Sequence, residues 1–208
     1  TPYFLPDWEK MWQVVNEHSK IIFLCTPNNP VGTVIPLAAI EEVCKKFEGL
    51  VLVDEAYIDF TDEPSAITLL GKYSNVVVLQ TLSKAWGMAG LRLGMCFADR
   101  QLTDVLNKVK APYNISSLTQ QTVKEVLEEQ SLFKKQVTEI IQERERLINA
   151  FTRMELFSHV YTSEANFILV ICEDSRDLDG YLNAKEFAVS LRNLRPLIAN
   201  SMRITVGT

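Results

Sequence analysis

Lys84 lies in the run Thr81-Leu82-Ser83-Lys84-Ala85-Trp86-Gly87-Met88-Ala89-Gly90-Leu91-Arg92-Leu93-Gly94, with hydroxyl residues before it and an arginine eight positions on. Upstream, the apolar run Val51-Leu52-Val53 ends in Asp54-Glu55-Ala56-Tyr57, an acid and then a phenol. A lone lysine is normally a solvated surface charge. Here Gly87, Gly90 and Gly94 permit close backbone approach, Thr81 and Ser83 offer hydroxyl donors, and Arg92 offers a fixed positive fork. A lysine amine able to form a Schiff base, an acid for a pyridinium nitrogen and a clamp for a phosphate are together what pyridoxal phosphate requires of a protein.

Read singly, the other candidates stay open. Asp54 at a strand end serves a ring nitrogen or, equally, caps a helix or closes a salt bridge. Tyr57 either donates its phenol to the cofactor's 3-hydroxyl or is a half-buried core tyrosine. Asn29 sits in Pro27-Asn28-Asn29-Pro30-Val31-Gly32, a turn that favours asparagine for backbone reasons alone, and its amide could also reach the 3-hydroxyl. Arg203 interrupts the apolar pattern of Met202-Arg203-Ile204-Thr205-Val206; an arginine there clamps a carboxylate or faces solvent on an edge strand.

These residues need a scaffold that brings them together. Ile21–Cys25, Leu50–Val53, Val76–Leu79 and Leu93–Ala98 are short apolar runs without a polar face, as strands covered on both sides are. Pro36 suits the first turn of a helix to about Phe47, with Leu37, Ile40, Val43, Cys44 and Phe47 on one stripe. The alternation predicts an α/β fold, a mostly parallel sheet with helices on both faces. Ligands in such sheets gather beyond the carboxyl ends of strands, where Asn29, Asp54 and Lys84 all fall. A long charged segment then carries Val137, Ile140, Ile141, Arg144, Leu147, Ile148 and Phe151 at helical spacing, the stripe of a packed helix. Strands at Asn166–Ile171 and Met202–Val206 predict a smaller C-terminal α+β unit, so that residues 1–146 form a large domain and 147–208 a small one.

Bulk properties narrow the class. The chain has 208 residues, 47% of them hydrophobic and 23% charged, with a formal charge of −5, which argues against nucleic-acid or anionic-membrane surfaces. No apolar run approaches the roughly 20 residues a membrane span needs, and Thr1 to Lys10 lacks a signal-peptide pattern. The four cysteines are widely spaced and only two histidines accompany them, so no metal site is expected. Cys25, Cys96 and Cys172 lie in apolar runs and are expected to be buried, which fits the cytoplasm.

The stretches Thr26–Gly32, Asp54–Phe60, Thr81–Gly94 and Arg203–Thr208 together resemble the fold-type I, pyridoxal-phosphate-dependent aminotransferases, and within them the family of histidinol-phosphate aminotransferases. The resemblance implies that Lys84 is the Schiff-base lysine and Asp54 the pyridinium partner. Tyr57 and Asn29 would meet the 3-hydroxyl, Thr81, Ser83 and Arg92 the cofactor phosphate, and Arg203 the substrate carboxylate. Arg192, with Arg195 as its rival, would meet the substrate phosphate. It further implies a homodimer acting on small molecules, an amino donor and a 2-oxo acid, and transamination of histidinol phosphate with 2-oxoglutarate. A threonine-phosphate decarboxylase, an aromatic aminotransferase and a non-catalytic aminotransferase-like sensing or interaction domain are the alternatives. The family's upstream glycine loop, its ring-covering aromatic and its final helix have no counterpart here, so a partial chain is expected.

Overall fold

The computed structural model describes residues 4–187, 189–192 and 198–207. Arg195 lies outside these described residues. Two four-stranded sheets organise the chain. In the first, β1 (Ile21–Cys25), β2 (Leu50–Asp54), β3 (Val76–Thr81) and β4 (Gly94–Ala98) lie in that order. The pairs β1–β2 and β2–β3 are parallel, whereas β4 runs antiparallel to β3. The direction of β4 has a simple cause. Residues 82–93 join it to β3 through a loop with only a short 3₁₀ turn, Ala89–Leu91, and no crossover helix.

Helix α1 (Trp8–Val14) and helix α2 (Leu37–Lys46) cover one face of this sheet. Ile40, Val43 and Cys44 on the α2 stripe pack with Ile22, Leu24, Val51, Val53, Val76 and Val78 from alternate strand positions. Each such side chain contributes roughly 1.5–3 kcal/mol on burial. Pro36 begins α2 without a side-chain cap, and the Glu63 carboxylate accepts from Leu37 N at 2.6 Å instead, an acid at a helix N-terminus.

On the opposite face Phe23 is 69% exposed, and helix α3 (Arg100–Val109) leaves Val105 and Val109 exposed too. This uncovered face corrects one expectation. Cys172 is buried as expected, but Cys25 is only half-buried and Cys96 on the sheet edge is exposed.

After helix α4 (Ser117–Glu128), the 23-residue helix α5 (Gln130–Thr152) runs unbroken through Leu147. Its first half packs Phe133, Val137, Ile140 and Ile141 against Tyr57, Ala85 and Phe167. Its second half packs Leu147, Ile148 and Phe151 on the second sheet, whose order is β5 (His159–Val160), β6 (Phe167–Ile171), β8 (Ser201–Thr205), β7 (Ser190–Leu191). All neighbouring strands there are antiparallel. Period-two alternation divides its residues. Ile168, Val170 and Met202 turn toward α5 and helix α6 (Ser175–Ala184), while Phe167 and Leu169 pack with Tyr57 and Val31 of the first unit. Arg203 pairs with Leu169 and so belongs to the second set.

Candidate active site

Parallel register aligns Cys25 with Asp54 and Asp54 with Leu79, so the chain leaves β1, β2 and β3 at one level of the sheet. Three segments follow from these ends. The first is the turn of residues 26–33. Thr26 N donates to Asp54 O at 2.9 Å, Thr26 Oγ1 accepts from Ile35 N at 2.9 Å, and Asn28 Oδ1 accepts from Val31 N at 3.2 Å. Both Pro27 and Pro30 follow cis peptide bonds. Gly32, at φ +85°, lies against Ser163, and its carbonyl accepts from Glu164 N at 2.9 Å. A β-carbon at Gly32 would overlap Ser163 Oγ. Gly32→Ala is therefore expected to cost about 2 kcal/mol or more, measurable as a lowered urea midpoint; an unchanged midpoint would mean the two loops separate freely.

The second segment follows β2. Asp54 Oδ1 accepts from Ala56 N at 3.1 Å. Glu55, 2% exposed, takes hydrogen bonds from Ser65 Oγ (2.6 Å), Ala66 N (2.6 Å) and Gln80 Nε2 (2.8 Å), which anchors the strand end that carries Asp54. Burial first, and then the Asp54 charge, push the Cys25 thiol above its ordinary value, against the effect of the Asn29 N–H. Asn29, Asp54 and Cys25 thus share one neighbourhood. Tyr57 heads the 3₁₀ turn Ile58–Phe60 and is 5% exposed.

The third segment is the lysine loop. Thr81 Oγ1 accepts from Ser83 N at 3.1 Å and donates to Leu93 O at 3.3 Å. Gly87 adopts φ +66°, and Trp86 stacks on Phe133 of α5 at 3.8 Å and 9°. Lys84 Nζ lies 5.4 Å from the centre of the Tyr57 ring. That ring meets Phe167 edge-on at 5.0 Å, and Arg203 Cζ stands 5.0 Å over the Phe167 ring. Arg203 Nη1 donates to Asn29 Oδ1 at 3.0 Å. Lys84, Tyr57, Arg203 and Asn29 therefore form one continuous constellation across both sheets, with Asp54 at the end of the central strand.

Two guanidinium Nε atoms, those of Arg203 and Arg192, are buried and lack hydrogen-bond partners among the described residues. Burial, then the like charge of Arg192, push Arg203 below its ordinary value, and Tyr57 opposes them. Buried donors left unpaired beside a like charge are suited to an anion. Arg192 reaches this place because its N–H pairs with Ser201 O at 2.9 Å, just beyond β7. Arg92 is exposed, at φ +56°, and its Nη1 turns back to Ala89 O at 2.9 Å.

Phe167, Ser163 and Glu55 escaped the sequence reading as site-building residues. Their signals were slight: an acid directly after the strand-end acid, and an aromatic at the first position of a strand.

A family model described as aminotransferase class I and II matches residues 2–208. The chain is 42% identical to a histidinol-phosphate aminotransferase of Flavobacterium johnsoniae over 208 residues, all of this chain and 60% of the relative's length. In fold it is similar to the L-threonine-O-3-phosphate decarboxylase of Porphyromonas gingivalis (TM-score 0.82, 22% identity), covering 92% of this chain and 61% of that one. It is likewise similar to a histidinol-phosphate aminotransferase from Sinorhizobium meliloti solved in complex with pyridoxal-5'-phosphate (TM-score 0.78, 23% identity), covering 92% and 54%.

Proposed function

We propose, for a chain that belongs to the aminotransferase class I and II family, that its full-length protein uses pyridoxal phosphate to exchange an amino group between histidinol phosphate and 2-oxoglutarate, yielding imidazole-acetol phosphate and glutamate. The observation that carries this reading is the pair of buried guanidinium groups, Arg203 and Arg192, each with its Nε unpaired among the described residues, beside the constellation of Lys84, Tyr57 and Phe167. Both substrates end in anions, a phosphate on one and carboxylates on the other, and planar guanidinium forks accept either.

The donor set fits the cofactor. Lys84 offers an amine near an aromatic face, 5.4 Å from the centre of the Tyr57 ring. Asp54 would pair with the ring nitrogen, and Tyr57 and Asn29 with the 3-hydroxyl. The Asn29 carbonyl oxygen is already taken by Arg203, which leaves its amide N–H groups to donate. Thr81, Ser83 and Arg92 would hold the phosphate, Arg92 after turning from Ala89. Bound there, pyridoxal phosphate supplies an electron sink for the charge left on the substrate's amine-bearing carbon. Lys84 Nζ takes the proton from that carbon as general base. Asp54 holds negative charge fixed in place as charge develops, an electrostatic contribution made without reorganisation. Arg203 and Arg192 orient the substrate, so that its carbon meets Lys84 and not solvent. The reaction so read is cytoplasmic, carried out by a homodimer on small molecules, with no role for nucleic acid or membrane.

The test uses full-length protein. With pyridoxal phosphate added, borohydride reduction is expected to place the label on the Lys84 peptide, and histidinol phosphate is expected to be the fastest donor to 2-oxoglutarate. Label scattered over surface lysines would overturn the cofactor site. Carbon dioxide released from threonine phosphate, or preference for aromatic donors, would keep the site and replace the substrate.

A further inference from the structure

Arg144 is 4% exposed in the middle of α5, on a stripe otherwise filled by Val137, Ile140, Ile141 and Leu147. Helix packing alone is satisfied by apolar residues at such positions, and a buried guanidinium persists only where its donors are used. The bonds Arg144 makes are specific. Nη1 donates to Phe60 O at 3.0 Å and to Ala165 O at 3.3 Å, carbonyls 105 positions apart in the chain. Nε donates to Glu145 Oε1 at 3.1 Å, and Glu164 Oε2 lies 4.0 Å from Nη2.

These two carbonyls flank the constellation from behind. Phe60 closes the 3₁₀ turn headed by Tyr57, its N–H donating to Tyr57 O at 3.1 Å. Ala165 lies two residues before Phe167, the ring that Tyr57 meets edge-on and over which Arg203 stands. One nitrogen of α5 thus ties the backbone of the Tyr57 turn to the backbone that carries Phe167. The same helix holds the lysine loop one end further along, through Phe133 and Trp86. We propose that Arg144 is a positioning residue, which sets Tyr57 and Phe167, and through them Arg203, against Lys84. That role rests on the function proposed above for its consequence in catalysis, but the positioning itself does not require the cofactor.

The test compares wild-type full-length protein with Arg144→Met and Arg144→Lys by hydrogen–deuterium exchange and by the visible circular dichroism of bound pyridoxal phosphate. In Arg144→Met, amides at 57–61 and 163–167 are expected to exchange roughly tenfold faster together, with β1–β3 unchanged. The visible dichroism of the bound cofactor is expected to fall severalfold while far-ultraviolet dichroism holds. Arg144→Lys keeps the charge but loses the planar fork and is expected to lie between. Wild-type exchange in both segments would overturn the proposal, as would a uniform rise along the whole chain, which marks lost stability alone. Should Arg144→Met fail to fold, the lysine variant decides: wild-type exchange at both segments overturns the proposal, and faster exchange at them sustains it. Wild-type protein that takes no pyridoxal phosphate on Lys84 would end the proposed function, whereas the exchange result would still stand for Arg144.

Discussion

Lys84→Ala in the full-length protein is expected to lower turnover by at least about a thousandfold and to abolish the borohydride-trapped label. The size follows from two jobs done by one atom. In the proposed function Nζ would hold the cofactor and, once the substrate amine displaces it, would carry the proton at the substrate carbon. Lys84 Nζ lies 5.4 Å from the centre of the Tyr57 ring, and a phenol is a poor substitute for an amine in either role. The effect should be chemical and not structural. The loop is held independently by the Trp86–Phe133 stack, by Gly87 at φ +66° and by the Thr81 hydroxyl, none of which involves the lysine side chain. Stability should therefore stay within about 0.5 kcal/mol of wild type, read from a urea titration. Turnover comparable to wild type would sink the proposed mechanism; lost turnover accompanied by unfolding would instead move Lys84 into the scaffold.

Much of this site was legible because its residues occupy positions that carry little ambiguity. Asp54 follows an apolar run directly and Lys84 stands five residues past the end of another, and strand ends in α/β sheets face one side by construction. Asn29 was legible through its turn chemistry, although the turn does not reveal that its carbonyl oxygen meets Arg203 from a segment 174 residues away. Other features need the fold. The spacing of eight residues suggests that Arg92 returns toward Lys84, but it does not foretell the 3₁₀ turn at Ala89–Leu91, which ends with Arg92 at positive φ, exposed and bonded to Ala89. Cys96 reads as core from its apolar neighbours, but burial depends on what covers the sheet, and that face is open. The direction of β4 turns on the absence of a crossover helix. Arg144 reads as one member of a packed stripe; a guanidinium there was the available signal, and its two carbonyl partners belong to distant segments that no local pattern connects. Strand β7, at two residues, is too short to show any alternation.

Arg203 offers the second large effect, and it separates substrate orientation from cofactor chemistry. Its guanidinium lies over the Phe167 ring, bonds to Asn29 through Nη1 and keeps Nε without a partner, beside the like charge of Arg192. The like charge of Arg192 works against that of Arg203, and an anion bound there would relieve the repulsion. Truncation removes a charge-assisted fork, so Arg203→Ala is expected to lower kcat/KM roughly 30- to 1000-fold. Arg203→Lys, which keeps the charge but loses the planar fork, is expected to recover only part of this. The loss should appear chiefly in KM, because orientation precedes the proton transfer at Lys84. Borohydride labelling of Lys84 should persist in both variants, which distinguishes a substrate residue from a cofactor residue. Measuring the two half-reactions apart sharpens the result. If the two guanidinium groups share the anions, Arg192→Ala should weaken the phosphate-bearing substrate more than glutamate, while Arg203→Ala weakens both. Unchanged kcat/KM for both substrates in Arg203→Ala would mean that the unpartnered donors face solvent ions and that another group holds the substrate.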